Sequence, residues 1–164
     1  MDAGRLFAEH HASLFRYLSR LTGDPDLAED AAQEAFARLV ERPPPAEHAR
    51  AWLFRVGTNA ARMSARTGTR RRRLLEAAPG RAPVGDAPRA PDDAAELAEL
   101  RDRVRRALGA LPERDRVVLL MREEGFTHRE IAAAVGTTTG SVGTMVARAL
   151  ARLAPVLRLD EEEP

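Results

Sequence analysis

The side chains of this sequence best suited to chemistry are Trp52, Arg55, Asn59, Arg62 and Arg66. At about 100° per residue they fall on one helix face, within an arc of roughly 80°. Guanidiniums bind phosphate. An indole offers a plane on which an unpaired base can stack. A carboxamide can read a base edge. Arg70 to Arg73 extend the positive surface beyond the stripe. A solvated arginine face with Trp52 plugging the core has the same pattern, and the residues alone do not separate the two readings.

A second set of polar groups lies within Gly125–Leu153. Thr127 and Glu130 have capping-box spacing, which starts a helix at His128. Ile131, Ala132 and Val135 give that helix an apolar stripe, and Gly136 supplies a tight turn. A further helix then spans about 138–153. Its inward positions are Val142, Val146, Ala149, Leu150 and Leu153; Ser141, Thr144, Arg148 and Arg152 point outward, and Thr138 and Thr139 stand at its start. Two short helices around a glycine turn form the unit that places a recognition helix in the DNA major groove. The hydroxyls sit near the helix N-terminus, where backbone N–H groups also favour phosphate.

A third set is acidic. Asp26, Glu29, Asp30, Gln33 and Glu34 alternate with Ala28, Ala32, Ala35, Phe36 and Leu39 at helical spacing. Such a face repels DNA, so it is either solvated or docks a basic protein.

The elements that must carry these groups are helices. The chain has 164 residues, 44% of them apolar but only 4% aromatic, so the core is built from Leu, Ala and Val. Val, Ile and Thr are sparse outside 117–146, which predicts an all-α fold. The first helix spans about 4–21 and ends at Gly23. Asp24 caps the second and Pro25 takes its first position. Pro43, Pro44 and Pro45 stop it near Glu41. The third spans about 48–66. Residues 76–93 are rich in Pro, Gly, Asp and Ala, a composition that cannot build a core. The expected organisation is two small helical domains: a three- to four-helix bundle over 1–73, a flexible linker over 74–95, a helix-turn-helix unit over 96–159 and an acidic tail over 160–164.

Charge and composition bound the function. The net charge is +1, yet residues 24–47 carry seven acids against two Arg, and 49–73 carry eight Arg and no acid. All 26 basic residues are Arg. A neutral average built from opposed blocks implies more than one kind of partner. There are no cysteines, hence no disulfides or thiolate zinc sites. No 18-residue apolar run and no signal-peptide pattern occur, which predicts a cytoplasmic protein without membrane insertion. His10, His11, His48 and His128 form no catalytic constellation, and no phosphate loop or metal motif is present. Neither cofactor nor metal is expected.

In order and spacing these parts resemble an extracytoplasmic-function (group 4) sigma factor of bacterial RNA polymerase. Residues 14–36 are similar to the family's region 2.1–2.2, and 51–62 to region 2.3–2.4. The stretch 110–120 with the helix-turn-helix is similar to region 4. The resemblance implies a non-enzymatic subunit with core polymerase and promoter DNA as partners. Asp30, Gln33, Glu34 and Phe36 fall on the motif that docks on the clamp helices of the largest subunit. The flap of the second-largest subunit is the implied partner of region 4. Trp52, Arg55, Asn59, Arg62 and Arg66 would capture the melted −10 element. Thr138, Thr139, Ser141, Thr144 and Arg148 would read the −35 element. An anti-sigma factor is a usual partner in the family.

Two departures bear on sequence preference. The recognition helix has Gly143-Thr144-Met145 and Ala147-Arg148 where the family often carries more cations, which implies fewer phosphate contacts. Gly140 and Gly143 each loosen that helix by roughly 1 kcal/mol relative to Ala. The loop 42–49 with its three prolines differs from the commoner Gly- and Ser-containing loop. Two other classes compete: a dimeric helix-turn-helix repressor or activator, and a helical metalloenzyme using the acids of the second helix. The acidic helix together with the base-stacking stripe favours the sigma reading over the first, and the acids lack the inward Glu-x-x-His pairs that the second would use.

Overall fold

A computed structural model describes residues 2–75 and 92–158; the side chains of 69–75, 92, 157 and 158 lie outside the described residues. Among the described residues the chain is all helical: α1 (Ala3–Thr22), α2 (Pro25–Glu41), a 3-10 turn (Ala46–His48), α3 (Ala49–Leu75), α4 (Asp92–Ala110), α5 (Glu113–Glu123), α6 (His128–Val135) and α7 (Thr139–Arg158).

Local chemistry explains most of these boundaries. The Asp2 carboxylate accepts from the Gly4 and Arg5 amides and opens α1. Gly23 closes it in the left-handed conformation, φ 70°, and donates its N–H to the Ser19 carbonyl. Asp24 then caps α2 by accepting from Asp26 and Leu27, with Pro25 at the first position. Thr127 and Glu130 form the complete capping box of α6, and Gly136 ends it at φ 69°. α3 runs on past 66 to Leu75. Arg is a good helix former, so the arginine run continues the helix instead of ending it. The helical segments thereby take residues 74, 75 and 92–95 from the expected linker. The remaining linker, 76–91, and the acidic tail lie outside the described residues, as do the side chains behind the positive surface expected from Arg70–Arg73.

The first three helices form a bundle. α2 contributes the small residues Ala28, Ala31, Ala32 and Ala35 to its interior, with Phe36 and Leu39 beside them. α3 lies close to α1 at Gly57, where an added Cβ would stand 3.2 Å from methyl groups of both Leu14 and Leu18. Tyr17 is fully buried, and its hydroxyl lies 2.8 Å from Thr58 Oγ1, which itself donates to the Phe54 carbonyl. Burial therefore pushes the phenol well above its usual range without leaving it unpaired.

The later helices pack against this bundle. Phe126, in the turn before α6, is 1% exposed and meets Phe54 of α3 edge-on at 4.7 Å. Phe54 in turn meets Tyr17 at 5.0 Å. The Arg50 guanidinium covers the Phe126 ring at 4.0 Å and donates to the Glu124 carbonyl. Arg16 of α1 grips the Glu124 carboxylate with two hydrogen bonds, 2.9 and 2.7 Å. Arg116 of α5 donates to the Leu21 carbonyl at 3.0 Å. A single buried cluster thus runs across both helical units of the expected two-domain layout.

Phe126→Ala should destabilise the whole chain by about 3–5 kcal/mol, the usual cost of truncating a buried Phe. Urea unfolding followed by helix ellipticity measures it. Loss confined to α4–α7, with α1–α3 unfolding at the wild-type midpoint, would show that the aromatic seam does not couple the halves.

Candidate nucleic-acid interface

On α3 the polar stripe survives as drawn from the spacing. Arg55, Asn59 and Arg66 are exposed, and Trp52 and Arg62 are half-buried. The opposite face of α3, carrying Leu53, Phe54, Gly57 and Ala61, is in the core. Trp52 is half-buried: it packs on the core and also lines a cleft. Pro44, Pro45, His48 and Arg55 line that cleft on the α3 side, and Arg129, Ala133 and Ala134 of α6 face them. Asn59 and Arg62 border a second cleft, opposed by Glu113 and Arg114 of α5. Arg62 Nε donates to the Glu113 carboxylate at 2.6 Å.

The recognition-helix groups are also brought together. Thr138, Thr139, Thr144 and Arg148 are exposed along α7, with Ser141 half-buried between them. Several of these hydroxyls already have partners. Thr138 Oγ1 accepts from the Ser141 amide and donates to Ser141 Oγ at 2.8 Å, so the pair caps α7. Thr144 donates to the Gly140 carbonyl. Leu150 is 51% exposed, not inward as its spacing suggests, and Met145 fills the core in its place. A Cβ added to Gly143 would meet only His128, at 3.8 Å, so the position has room for a side chain.

Arg148 is also bound within the protein. Its guanidinium forks onto Asp115 of α5 with bonds of 2.8 and 2.6 Å, and Arg152 lies 4.0 Å from the same carboxylate. Asp115 is 1% exposed. The Arg148 fork holds its carboxyl below the usual range against the opposing effect of burial. This fork ties α7 to α5. A signal for it exists in the sequence: Asp115 shares the helical phase of Leu111, Val118 and Leu119, and a carboxylate on a buried phase needs a cation.

On α2, Asp30, Gln33 and Glu34 stand together in solvent. Glu34 pairs with Arg38 at 2.7 Å and Glu29 accepts from Gln33 at 3.2 Å. Phe36 is set apart from them. It is 8% exposed and lies under Phe7, ring centroids 4.9 Å apart. Its spacing alone gave no sign of that cover. Val40 is 67% exposed and continues the polar face with an apolar patch that composition did not single out. Among the described residues no group of three His, Asp or Glu side chains could hold a metal ion, and no helix is long and apolar enough to cross a membrane.

Comparison with known proteins decides the family. Residues 6–71 match the model for Sigma-70 region 2, and residues 101–153 match Sigma-70, region 4. The chain belongs to the sigma-70 family. It is 36% identical over 146 residues to the RNA polymerase sigma-E factor of Streptomyces coelicolor, covering 86% of this chain and 77% of that one. It is 48% identical over 58 residues to the ECF RNA polymerase sigma factor SigL of Mycobacterium tuberculosis, and that match spans a third of the length of each. The fold matches that of the sigma factor RpoE of Bartonella quintana, solved in complex with the anti-sigma factor NepR. The TM-score is 0.72 at 21% identity, over 96% of this chain and 97% of that one. In family terms, α1–α3 are region 2 and the α4–α7 unit contains region 4, so the Phe54–Phe126 seam joins one region to the other.

The Asp115–Arg148 fork should set the acid limb of stability. A carboxyl whose native pKa lies below its unfolded value of about 4 stabilises the fold above that value and loses the contribution as pH falls through the native one. Glu130, held down chiefly by the Thr127 amide, acts in the same direction. Urea midpoints between pH 7 and pH 3 should therefore fall less steeply in Asp115→Asn than in wild type, and Arg148→Ala should lower the midpoint at pH 7. An acid limb identical in Asp115→Asn and wild type would remove the structural role of the fork.

Proposed function

We propose that this chain is a sigma subunit that binds core RNA polymerase and directs promoter-specific initiation. The observation that carries the reading is the presence, in one chain, of region 2 with an acidic α2 face and a separate Trp/Arg/Asn stripe on α3, followed by region 4 with an exposed recognition helix. Asp30, Gln33 and Glu34 offer an anionic surface to the clamp helices of the largest subunit, with Phe7 and Phe36 as its apolar flank. Region 4 faces the flap of the second-largest subunit and the −35 element through Thr138, Thr139, Ser141, Thr144 and Arg148. Trp52, Arg55, Asn59, Arg62 and Arg66 take up the unpaired −10 strand. The domain limits follow the same division, with region 2 over 1–73, the connection over 74–95 and region 4 over 96–159. The chain does no chemistry of its own and works where the polymerase works, in the cytoplasm. An anti-sigma factor is a fitting partner, since RpoE of similar fold was solved with one.

Run-off transcription with core polymerase on promoters of the source genome tests the reading directly. Reversing Asp30 and Glu34 to Arg should weaken core binding by about tenfold or more, because it sets like charges against each other at a docking face. Both side chains are exposed, so the fold should persist. Unchanged affinity in a fluorescence titration with labelled core would refute the assignment of α2.

Trp52→Ala should impair opening while leaving duplex −35 contact in place, because stacking on an aromatic is worth about 1–3 kcal/mol per base. Permanganate reactivity of the bubble reads the first effect and holoenzyme binding to a −35 duplex the second. Normal bubble formation by a folded Trp52→Ala protein would place −10 capture elsewhere.

A further inference from the structure

Region 2 carries an aromatic row on α1, with His11 in the middle of it. The imidazole stacks on Phe7, one turn before, with ring centroids 4.5 Å apart and planes 25° from parallel. Phe15, one turn after, lies nearly parallel to it at 6.4 Å. Phe36 of α2 completes the cluster at 6.1 Å. Residues four apart on a helix are neighbours on one face, so the spacing 7, 11, 15 is enough to build the row.

The row meets an acid. His11 Nε2 lies 3.6 Å from Glu29 Oε1 on α2. The same oxygen accepts a hydrogen bond from Gln33 Nε2 at 3.2 Å. Glu29 is thus shared between a titratable ring on α1 and a carboxamide on the face assigned to polymerase. Among the described residues Glu29 is the charged group that faces His11 from α2. His10, next along α1, interacts instead with Glu9 and with Arg50 of α3. The side chains of His11 and Glu29 are 27% and 40% exposed, so the pair is partly shielded from salt.

We propose that His11 is a positioning residue whose charge tunes polymerase docking on α2. Histidine is the side chain that ordinarily changes charge near neutral pH. While neutral, it leaves Glu29 as a full anion beside Asp30 and Glu34, with Oε1 holding Gln33. Once protonated, it sets a cation against Glu29 and over the face of Phe7. The anionic face is then partly neutralised, and Oε1 is drawn from Gln33 toward His11. A basic partner is attracted less, so docking weakens as pH falls. The proposal rests on the docking role given above to α2. The coupling of His11 to Gln33 is read without polymerase, so the two can fail separately.

The test uses the full chain. Gln33 is its only glutamine and Asn59 its only asparagine, so a proton–nitrogen correlation spectrum holds just two side-chain carboxamide pairs. Between pH 8 and pH 6 the Gln33 pair should shift in wild type. It should stay in place in His11→Phe, which keeps the stack without the charge. In His11→Arg, a fixed cation, it should sit near its low-pH position throughout. Circular dichroism checks that helix content is retained. Titration of labelled core polymerase gives the second reading, with the proteins compared at each pH so that the polymerase's own titration cancels. His11→Arg should bind about threefold more weakly than His11→Phe at either pH. Wild type should side with His11→Phe at pH 8 and move toward His11→Arg at pH 6. A Gln33 pair that moves alike in wild type and His11→Phe would overturn the coupling. Wild type tracking His11→Phe at both pH values, or equal affinities for all three proteins, would overturn the tuning. If reversal of Asp30 and Glu34 is also silent in that assay, the docking role of α2 falls as well.

Discussion

The packing of Phe126 into the bundle of α1–α3 is the interaction on which the arrangement of this chain depends. The ring is buried against Phe54, which is buried against Tyr17, so three aromatic side chains from α1, α3 and the turn before α6 form one column. In a core otherwise made of Leu, Ala and Val, these rings supply the largest single blocks of apolar area. The column fixes the rotation of α3. With Phe54 inward and Gly57 against Leu14 and Leu18, the Trp52–Arg66 stripe has to emerge on the opposite side, toward α5 and α6. The Tyr17 hydroxyl could not be buried there without Thr58, one turn beyond Phe54, to pair with it.

Much of the local architecture was legible because it is written in contacts of short range. Asp24-Pro25, Thr127 with Glu130, and the glycines at 23 and 136 specify helix ends through atoms a few residues apart. The core phase of α2 follows from spacing: Ala28, Ala32, Ala35, Phe36 and Leu39, which alternate with the acids, are all buried. The misplacement of Leu150 shows where spacing stops. Its neighbours on the helix wheel are apolar, yet it borders an open cleft with Leu100, Val104 and Leu108 of α4 and stays half exposed. The end of α3 was misjudged for a related reason: an arginine run gives no periodic apolar signal, although it favours helix.

The pairing of the arginines was not legible, and its physics is of long range. Arg16 finds Glu124 at a separation of 108 residues, and Arg62 finds Glu113 at 51. A guanidinium committed to an internal carboxylate and one left for phosphate are the same residue in a sequence. Asp115 is the exception, since an acid on a buried helical phase announces a cation in advance. That partner proved to be Arg148, so the residue proposed for DNA contact also ties α7 to α5. On that proposal, stability has to be measured beside DNA affinity to read a substitution there.

The acidic face of α2 stands apart from all of this. α2 packs on α1 and α3 and makes no contact with α4–α7 among the described residues. Asp30, Gln33 and Glu34 are exposed, while the arginine and asparagine side chains of the other polar set stand on α3, beside α5 and α6. On the proposed function, polymerase docking and DNA capture therefore fall to different helices of one bundle, so the charge of one surface can be changed without touching the side chains of the other. A single mixed-charge face could not be divided in this way, because acids that dock a basic protein would repel phosphate beside them.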